Sequence, residues 1–425
     1  MPYKTFGFTQ DQVLMRDNVV GLLARAMPPE TIDECERTDA YPEQAYQALA
    51  REGWLALPFA ERFGGANASH KDLAVFIEAT AYHHPGVTSA FMTTCIYAAM
   101  YIQHFGTPAQ QEEFLPRVIA GKLKMAVAYT EPDAGSDAAA ISTRAVRDGD
   151  DYVITGQKVY ITNAHVADYL VVTAKTDPAG AHRGISQFIV DTRAGGVAIR
   201  KLSPMGRRTS LPNEVFLDGV RVPSRWRLGT ENAAWKQMMR GLNLERVLLA
   251  AASAGQCLKI IEIARDWAKE RKAFGKPITE YQAISHKFAD MMIMTESARL
   301  HTFSAAEMLD AGESADLDRQ DHRHREQSQG RRPRAADHGR RGIHGRAHEP
   351  ALPRCARRSH WRRYVGDHAQ RDCQAHERRL IKPCRSWRRR ARSKKEVPNA
   401  TCAHLPTRRQ VRSRNPWPPP YLGAR

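Results

Sequence analysis

Cysteine is scarce in this sequence: its seven cysteines are spread over 425 residues, and no two of them lie close together. Such spacing provides neither a disulfide framework nor a zinc site, so we predict no metal centre. Long apolar runs are missing too, since no run approaches the roughly 18 residues of a membrane span. The N-terminal residues lack the apolar segment of a signal peptide. We therefore expect a soluble, cytoplasmic protein that does not bind a membrane.

Apolar residues are rarest in residues 316–425. This segment has no Phe, no Met and only ten Ile, Leu and Val residues together. It has 30 Lys and Arg against 10 Asp and Glu, whereas the rest of the chain has 34 against 36. The net charge of +18 therefore belongs to this segment. It cannot bury enough apolar surface to offset its ordering entropy, so we predict that the basic tail, residues 313–425, is disordered.

Two interpretations of the basic tail are open. A nucleic-acid-binding arm would combine Lys and Arg with interspersed aromatic residues or glycines. Here 27 of the 30 basic residues are Arg, and they alternate with His, Pro and Ala without periodicity. That composition is typical of a GC-rich coding region read out of frame. We favour the second interpretation, and nucleic acid is not an expected partner.

Hydrophobic periodicity changes twice before the tail. Three-and-four spacing predicts helices at 44–52, 71–82, 90–105 and 110–120. Short β-branched and aromatic runs between turns predict strands at 124–129, 152–155, 169–174 and 187–190. Two long helical patterns follow at about 232–271 and 279–310. The order predicts an α+β chain with a helical domain at 1–123, a β domain at 124–231 and a second helical domain at 232–312.

Two segments at strand ends carry the clearest sign of a binding site. Thr-Glu-Pro-Asp-Ala-Gly-Ser-Asp occupies residues 130–137, and Lys-Val-Tyr-Ile-Thr-Asn occupies residues 158–163. Their small residues and hydroxyls would let backbone N–H groups and side-chain oxygens reach a flat polar ligand. Taken alone, Thr130 and Thr162 could equally be strand formers with local hydrogen bonds. Together the two segments predict one shared site.

Residues 5–312 resemble the flavin-dependent acyl-CoA dehydrogenases through five motifs in the same order. The motifs are Trp-Leu-Ala-Leu-Pro-Phe at 54–59 with Phe-Gly-Gly at 63–65, the segment 130–137, Tyr-Ile-Thr-Asn at 160–163, Leu-Glu-Arg at 244–246, and Arg-Lys-Ala-Phe-Gly at 271–275 leading to Gln282. The resemblance is to a subgroup that includes isovaleryl-CoA dehydrogenase and crotonobetainyl-CoA reductase. It implies FAD as cofactor, a β-barrel between two helical domains, and a homotetramer.

The resemblance also implies a set of site residues. FAD contacts would come from Val127, Ala128, Tyr129, Thr130, Gly135, Ser136, Tyr160, Ile161, Thr162, Arg271, Phe274 and Gln282. The last three would reach the FAD of a neighbouring subunit. The acyl-CoA would contact Ser136, Leu242, Asn243 and Arg246. Tyr160 departs from the family pattern, because many members have Trp there.

Glu245 is the candidate catalytic base. It lies in a largely apolar helical stretch, 241–247, and the resemblance implies a subgroup that keeps its catalytic carboxylate on this helix. Removing a proton α to a thioester requires a base and donors for the developing oxyanion. Burial would raise the pKa of such a carboxyl group. The alternative is a solvated charge near Arg240 or Arg246, although Gly241 and Leu249, its i±4 neighbours, offer no ion pair.

The expected activity is α,β-dehydrogenation of an acyl-CoA thioester. The base would take the α-proton, the β-hydrogen would pass as hydride to flavin N5, and the electrons would go to an electron-transfer flavoprotein. One alternative is an enoyl-CoA reductase, because residues 36–43, Glu-Arg-Thr-Asp-Ala-Tyr-Pro-Glu, resemble the crotonobetainyl-CoA reductase-like group. The other is a non-catalytic remnant with a nucleic-acid-binding tail. The final bundle helices are not recognisable, which predicts exposed apolar faces on the two long helices and weak FAD binding or aggregation.

Overall fold

The computed structural model describes residues 7–312. Within that range the chain passes through helices, then strands, then helices, as hydrophobic periodicity predicts. The predictions for the basic tail lie outside the described residues.

Local hydrogen bonds set the ends of the N-terminal helices. Thr9 and Gln12 form a reciprocal capping box at the start of the first helix, and Thr107 and Gln110 form another at the start of the last. Pro108 occupies the first turn there, where its missing N–H costs nothing. The helices are Gln10–Ala26 (α1), Pro29–Thr38 (α2), Glu43–Arg51 (α3), His70–His83 (α4), Pro85–Phe91 (α5), Met100–Phe105 (α6) and Pro108–Ile119 (α7).

The sequence pattern misses α1 and α2. It also misses most of α5, because the predicted helix starts at residue 90. No residue of α2 is buried, so that helix has no apolar stripe to recognise. The inward face of α1 is partly polar, because Gln12 and Arg16 are buried on it. The predicted helix at 90–105 is α5 and α6 joined by a π-helical segment, Met92–Ala99. Such wider turns occur frequently at functional sites.

The middle domain is an eight-stranded sheet with strand order β6-β7-β3-β2-β4-β5-β8, and β1 pairs in parallel with β4. The strands are Met125–Ala128 (β1), Arg144–Asp148 (β2), Asp151–Lys158 (β3), Tyr169–Lys175 (β4), Ile185–Asp191 (β5), Val197–Lys201 (β6), Asn213–Pro223 (β7) and Arg227–Leu228 (β8). Among the described strands β6 and β8 lie at the two edges and do not pair with each other, so the barrel implied by the resemblance takes the form of an open sheet. The pattern predicts β1, β3, β4 and β5. It misses β2 and β6, which are largely exposed and carry little apolar contrast, and the two-residue β8. It also misses β7, although buried apolar residues alternate with more exposed ones along that strand.

Two long helices complete the described chain: Ala234–Glu270 (α8) and Gln282–Asp310 (α9), with a short hairpin of Lys272–Ala273 (β9) and Lys276–Pro277 (β10) between them. Gly255 lets α8 approach α4 closely, because a Cβ there would overlap the Glu78 carbonyl. Arg299 on α9 forms a buried ion pair with Glu78, with N–O distances of 2.6 and 2.9 Å. One hydrophobic core therefore runs from the N-terminal helices through β4 to α8 and α9.

The outer halves of α8 and α9 expose large apolar side chains, as expected for an incomplete bundle. Ile263, Trp267, Ile293 and Leu300 are each about 60% exposed. By length and composition α8 also passes as a membrane span, with a window of mean hydropathy 1.6. However, 56% of that window is buried within the fold, which is what a core helix shows.

Candidate active site

Glu245 lies in the first third of α8 and is half-buried, and its sequence neighbours Leu244 and Val247 are buried. Burial raises the pKa of its carboxyl group to about 7, and the nearby Arg246 guanidinium opposes part of that rise. A carboxyl group with this pKa exchanges protons readily near neutral pH. The solvated-charge alternative predicts an ordinary acidic pKa, so the structure favours the candidate base on this point.

Three tyrosines lie close enough to Glu245 for its charge to affect their pKa values. Burial raises the pKa of Tyr97, Tyr101 and Tyr129, and the negative charge of Glu245 adds to the rise in each case. The ring of Tyr101 packs edge-on against that of Tyr129, with centroids 6.3 Å apart. Tyr97 belongs to the π-helical segment, Tyr101 to α6, and Tyr129 follows β1. The carboxylate therefore lies where the N-terminal helices, the sheet and α8 meet, among neutral phenols.

Hydrogen bonds fix the positions of Tyr129 and Tyr101. Gln187 on β5 donates from Nε2 to the Tyr129 hydroxyl at 2.6 Å, and the Tyr101 hydroxyl donates to the Met238 carbonyl at 3.4 Å. Gly241 makes the second contact possible, because a Cβ at that position would lie 2.5 Å from the Tyr101 hydroxyl oxygen. Gly241 and Glu245 are four residues apart and share one face of α8. Tyr101 thus lies one helical turn from the candidate base.

Replacing Gly241 with alanine tests this arrangement. The new methyl group displaces the Tyr101 ring or shifts α8, so we expect kcat to fall about tenfold, less than the roughly 10²-fold that a full 1 Å misplacement can cost. In the double variant Gly241→Ala/Tyr101→Phe the hydroxyl is gone, and part of the loss should be recovered. Steady-state kinetics of the FAD-loaded chain measures both. Additive losses in the double variant would contradict the contact.

The two strand-end segments meet as the sequence predicts. The Val159 N–H donates to the Thr130 carbonyl at 3.0 Å, which joins the end of β3 to the loop after β1. The Thr130 and Thr162 side chains are half-buried, and neither hydroxyl bonds to another residue in the part of the chain that the structure describes. Tyr160 has φ of +59° and is 66% exposed.

These features fit a flavin. Two unpaired threonine hydroxyls on adjacent segments can bond the polar edge of a flat ring, and the exposed Tyr160 ring can cover an aromatic face. Residues 7–312 contain no group of three His, Cys, Asp or Glu side chains suited to a metal ion.

A buried ion pair joins these two segments. Lys158 Nζ is 2.8 Å from Glu131 Oε1, and both side chains are almost completely buried. Burial alone would raise the pKa of Glu131, but the Lys158 charge and several hydrogen bonds lower it to about 2. Burial lowers the pKa of Lys158 to about 8 although Glu131 opposes this. Both groups are charged at neutral pH.

The remaining predicted residues fall into two groups. Around Glu245, Leu242 and Asn243 are half-buried on α8, and the Arg246 guanidinium donates to Asn243 Oδ1 at 2.8 Å. Beside the strand ends, Val127, Ala128 and Ile161 belong to or border the sheet, whereas Gly135 and Ser136 are exposed in the loop. Arg271, Phe274 and Gln282 lie on the exposed hairpin and at the start of α9, and the Phe274 ring is 97% exposed. The roles of these residues stay predictions.

Sequence reasoning assigned no role to Tyr97, Tyr101, Glu131 or Lys158. The last two stand inside the quoted motifs, but their pairing joins positions 27 residues apart and is visible only in three dimensions. Tyr97 and Tyr101 are spaced four residues apart in an apolar stretch, which also fits ordinary core packing. The sign of another role in the sequence is that both residues are tyrosine, whose aromatic ring carries a polar hydroxyl group.

Comparisons with known proteins agree with this arrangement. Models of the acyl-CoA dehydrogenase N-terminal, middle and C-terminal domains match residues 9–122, 126–220 and 232–322. The chain is 34% identical over 310 residues to caffeyl-CoA reductase-Etf complex subunit CarC of Acetobacterium woodii, covering 72% of this chain and 82% of that protein. It is 36% identical over 308 residues to cyclohex-1-ene-1-carbonyl-CoA dehydrogenase of Geobacter metallireducens, covering 72% and 80%.

Among solved structures, butyryl-CoA dehydrogenase from Megasphaera elsdenii superposes with a TM-score of 0.69 at 30% identity, covering 73% of this chain and 82% of that one. Fold and site together define a three-domain flavin-dependent oxidoreductase. The chain belongs to the acyl-CoA dehydrogenase family. It is accordingly an oxidoreductase acting on CH–CH groups, with FAD as its cofactor.

Proposed function

We propose that this chain dehydrogenates an acyl-CoA thioester between its α- and β-carbons, with Glu245 as the base. The observation that carries the proposal is the half-buried Glu245 carboxyl group, whose pKa is raised to about 7. It lies among Tyr97, Tyr101 and Tyr129, and the last of these directly precedes Thr130 in the strand-end segment that fits a flavin. A base near the segment that fits a flavin suits the removal of two hydrogens from neighbouring carbons.

Glu245 takes the α-proton of the bound thioester. Its raised pKa suits this role, because a base with a pKa near the working pH is both ionised and strong enough to accept the proton. Bound FAD supplies the acceptor for the β-hydrogen, which leaves as hydride. The tyrosine rings add apolar surface near the carboxylate and reduce its hydration.

Other residues bind and orient the flavin and the acyl-CoA. The hydroxyls of Thr130 and Thr162 bond the flavin, with Val127, Ala128, Tyr129, Gly135, Ser136, Tyr160 and Ile161 lining the same site. Ser136, Leu242, Asn243 and Arg246 contact the acyl-CoA. Arg271, Phe274 and Gln282 are exposed and therefore accessible to a second copy of the chain, in keeping with a homo-oligomer.

A second candidate is the reverse reaction, reduction of an enoyl-CoA. It is favoured by the relative named as a caffeyl-CoA reductase-Etf complex subunit. The residues would be the same, with protonated Glu245 returning a proton to the α-carbon. The name of that relative also supports an electron-transfer flavoprotein as the redox partner, and we place the reaction in the cytoplasm.

The test uses the full chain loaded with FAD under anaerobic conditions. Saturated straight, branched, cyclic and aryl acyl-CoA thioesters are added one at a time, and the visible absorbance of the flavin and the enoyl-CoA product are measured. We expect at least one thioester to bleach the absorbance in proportion to enzyme and to yield its 2-enoyl-CoA. Bound FAD that responds to none of them would contradict dehydrogenation. A response only to enoyl-CoA with a reduced electron donor would establish the second candidate instead.

A further inference from the structure

The ion pair between Glu131 and Lys158 is the most thoroughly satisfied buried charge in the sheet domain. Glu131 Oε2 accepts from the Ser142 N–H at 2.5 Å and from the Ser142 hydroxyl at 2.7 Å. Its Oε1 accepts from the Thr143 N–H at 3.1 Å and from Lys158 at 2.8 Å. The carboxylate is therefore held by four donors, which fixes the ammonium group that it faces.

The Lys158 ammonium group has two further partners. It donates to the Tyr129 carbonyl at 3.2 Å and to the Thr173 hydroxyl at 3.3 Å. The Tyr129 carbonyl belongs to the peptide whose N–H is that of Thr130. A cation that donates a hydrogen bond to a peptide carbonyl polarises the whole peptide group. The N–H of that peptide then becomes a stronger donor, because linked hydrogen bonds reinforce one another at low dielectric. Lys158 thus acts on the backbone of the loop that carries Thr130.

The same lysine ends β3, two residues before Tyr160. The pair therefore ties the loop of Thr130 to the segment of Thr162, beside the bond from the Val159 N–H to the Thr130 carbonyl at 3.0 Å. Burying two charges costs desolvation free energy, and apolar residues of similar volume often stabilise a fold as well or better. Fold stability alone does not account for a charged pair at this place.

We propose that Lys158, anchored by Glu131, is a positioning residue that tunes the flavin. It fixes the spacing of the two threonine-bearing segments, and its positive charge, relayed through the Tyr129–Thr130 peptide, favours added negative charge on the bound ring. The proposal rests on the proposed function only in placing FAD at these segments.

The test compares two double variants that each replace a buried ion pair by neutral groups of similar size. Lys158→Met/Glu131→Gln removes the pair behind the flavin segments. Glu78→Gln/Arg299→Met removes an equally buried pair between α4 and α9, away from those segments. Three properties of each variant are measured: FAD dissociation, the two-electron reduction potential of the bound FAD, and thermal unfolding. Together they separate an effect on the flavin potential from an effect on stability, and they need no acyl-CoA.

For Lys158→Met/Glu131→Gln we expect a more negative potential, because the ratio of affinities for reduced and oxidised FAD falls about tenfold, or about 30 mV for a two-electron couple. For Glu78→Gln/Arg299→Met we expect lower thermal stability with an unchanged potential. Equal potentials in wild type and Lys158→Met/Glu131→Gln would overturn the proposal while leaving dehydrogenation intact. A folded wild-type chain that fails to bind FAD would overturn both.

The single variant Lys158→Met keeps the proposal testable if the double variant does not fold. Glu131 then loses its cation but keeps the Ser142 and Thr143 donors. We expect the same direction of shift in the FAD potential. A shift to more positive values would contradict a stabilising positive charge.

Discussion

Glu245→Gln lowers kcat about 10³-fold, within the 10²–10⁴-fold range that general base catalysis typically contributes. The amide has nearly the same shape as the carboxyl group, so local packing is retained, but it cannot accept the α-proton. FAD binding is unchanged, because Glu245 is on α8 and the flavin segments are loops that follow β1 and β3. Steady-state turnover and the flavin content of the purified variant are the two measurements.

Glu112→Gln is the matched control. Glu112 is exposed on α7, and its replacement makes the same chemical change outside the site. We expect wild-type turnover from it. A Glu245→Gln variant that keeps more than about a tenth of wild-type kcat, while carrying full FAD, falls outside the general base range and contradicts the role.

The pH dependence of kcat/KM is the second large effect. The pKa of Glu245 is raised by burial to about 7, and dehydrogenation requires the ionised form. Below pH 7 the ionised fraction of Glu245 falls about tenfold per pH unit, so kcat/KM for the acyl-CoA should also fall about tenfold per unit, to roughly a hundredth of its plateau value at pH 5. An ordinary glutamate would hold its activity down to about pH 4.3. The profile of kcat/KM between pH 5 and pH 9 measures this directly.

The sign of the profile separates the two directions of reaction. Enoyl-CoA reduction requires protonated Glu245, so its kcat/KM should instead fall as the pH rises above 7. In Glu245→Gln the inflection near pH 7 should disappear in both directions. A profile that is flat from pH 5 to pH 9 in the wild-type chain would show that no group with a pKa near 7 limits the reaction.

Elements with continuous apolar runs are predicted well from the sequence, whereas the alternating pattern of β7 is missed. Strands β4 and β5 are buried along almost their whole length, and α4 buries ten of its fourteen residues, so their apolar runs stand out. The helix α2 and the strand β6 have no such run, because none of their residues is fully buried. The π-helical segment reads as ordinary helix, since its extra residue per turn is imposed by packing rather than by composition.

Some residues of the candidate site can likewise be predicted from the sequence, and others cannot. Glu245 is predictable because its apolar neighbourhood and its motif are local in sequence. The contact of Tyr101 with Gly241 joins residues 140 positions apart, and no local pattern encodes it. Lys158 and Glu131 each resemble a surface charge on a strand or loop, and only the sheet pairing brings them together behind the Thr130 loop. Long-range pairing of this kind requires coordinates or a set of aligned relatives.

Proton exchange at the substrate α-carbon tests the central role of Glu245 most directly. An acyl-CoA that has α-hydrogens but no β-hydrogen can lose a proton without being oxidised, so exchange in D₂O reports the base alone. We predict that the FAD-loaded wild-type chain incorporates deuterium at the α-carbon, and that Glu245→Gln does so about 10³-fold more slowly. Exchange at the wild-type rate in Glu245→Gln would show that another group takes the proton.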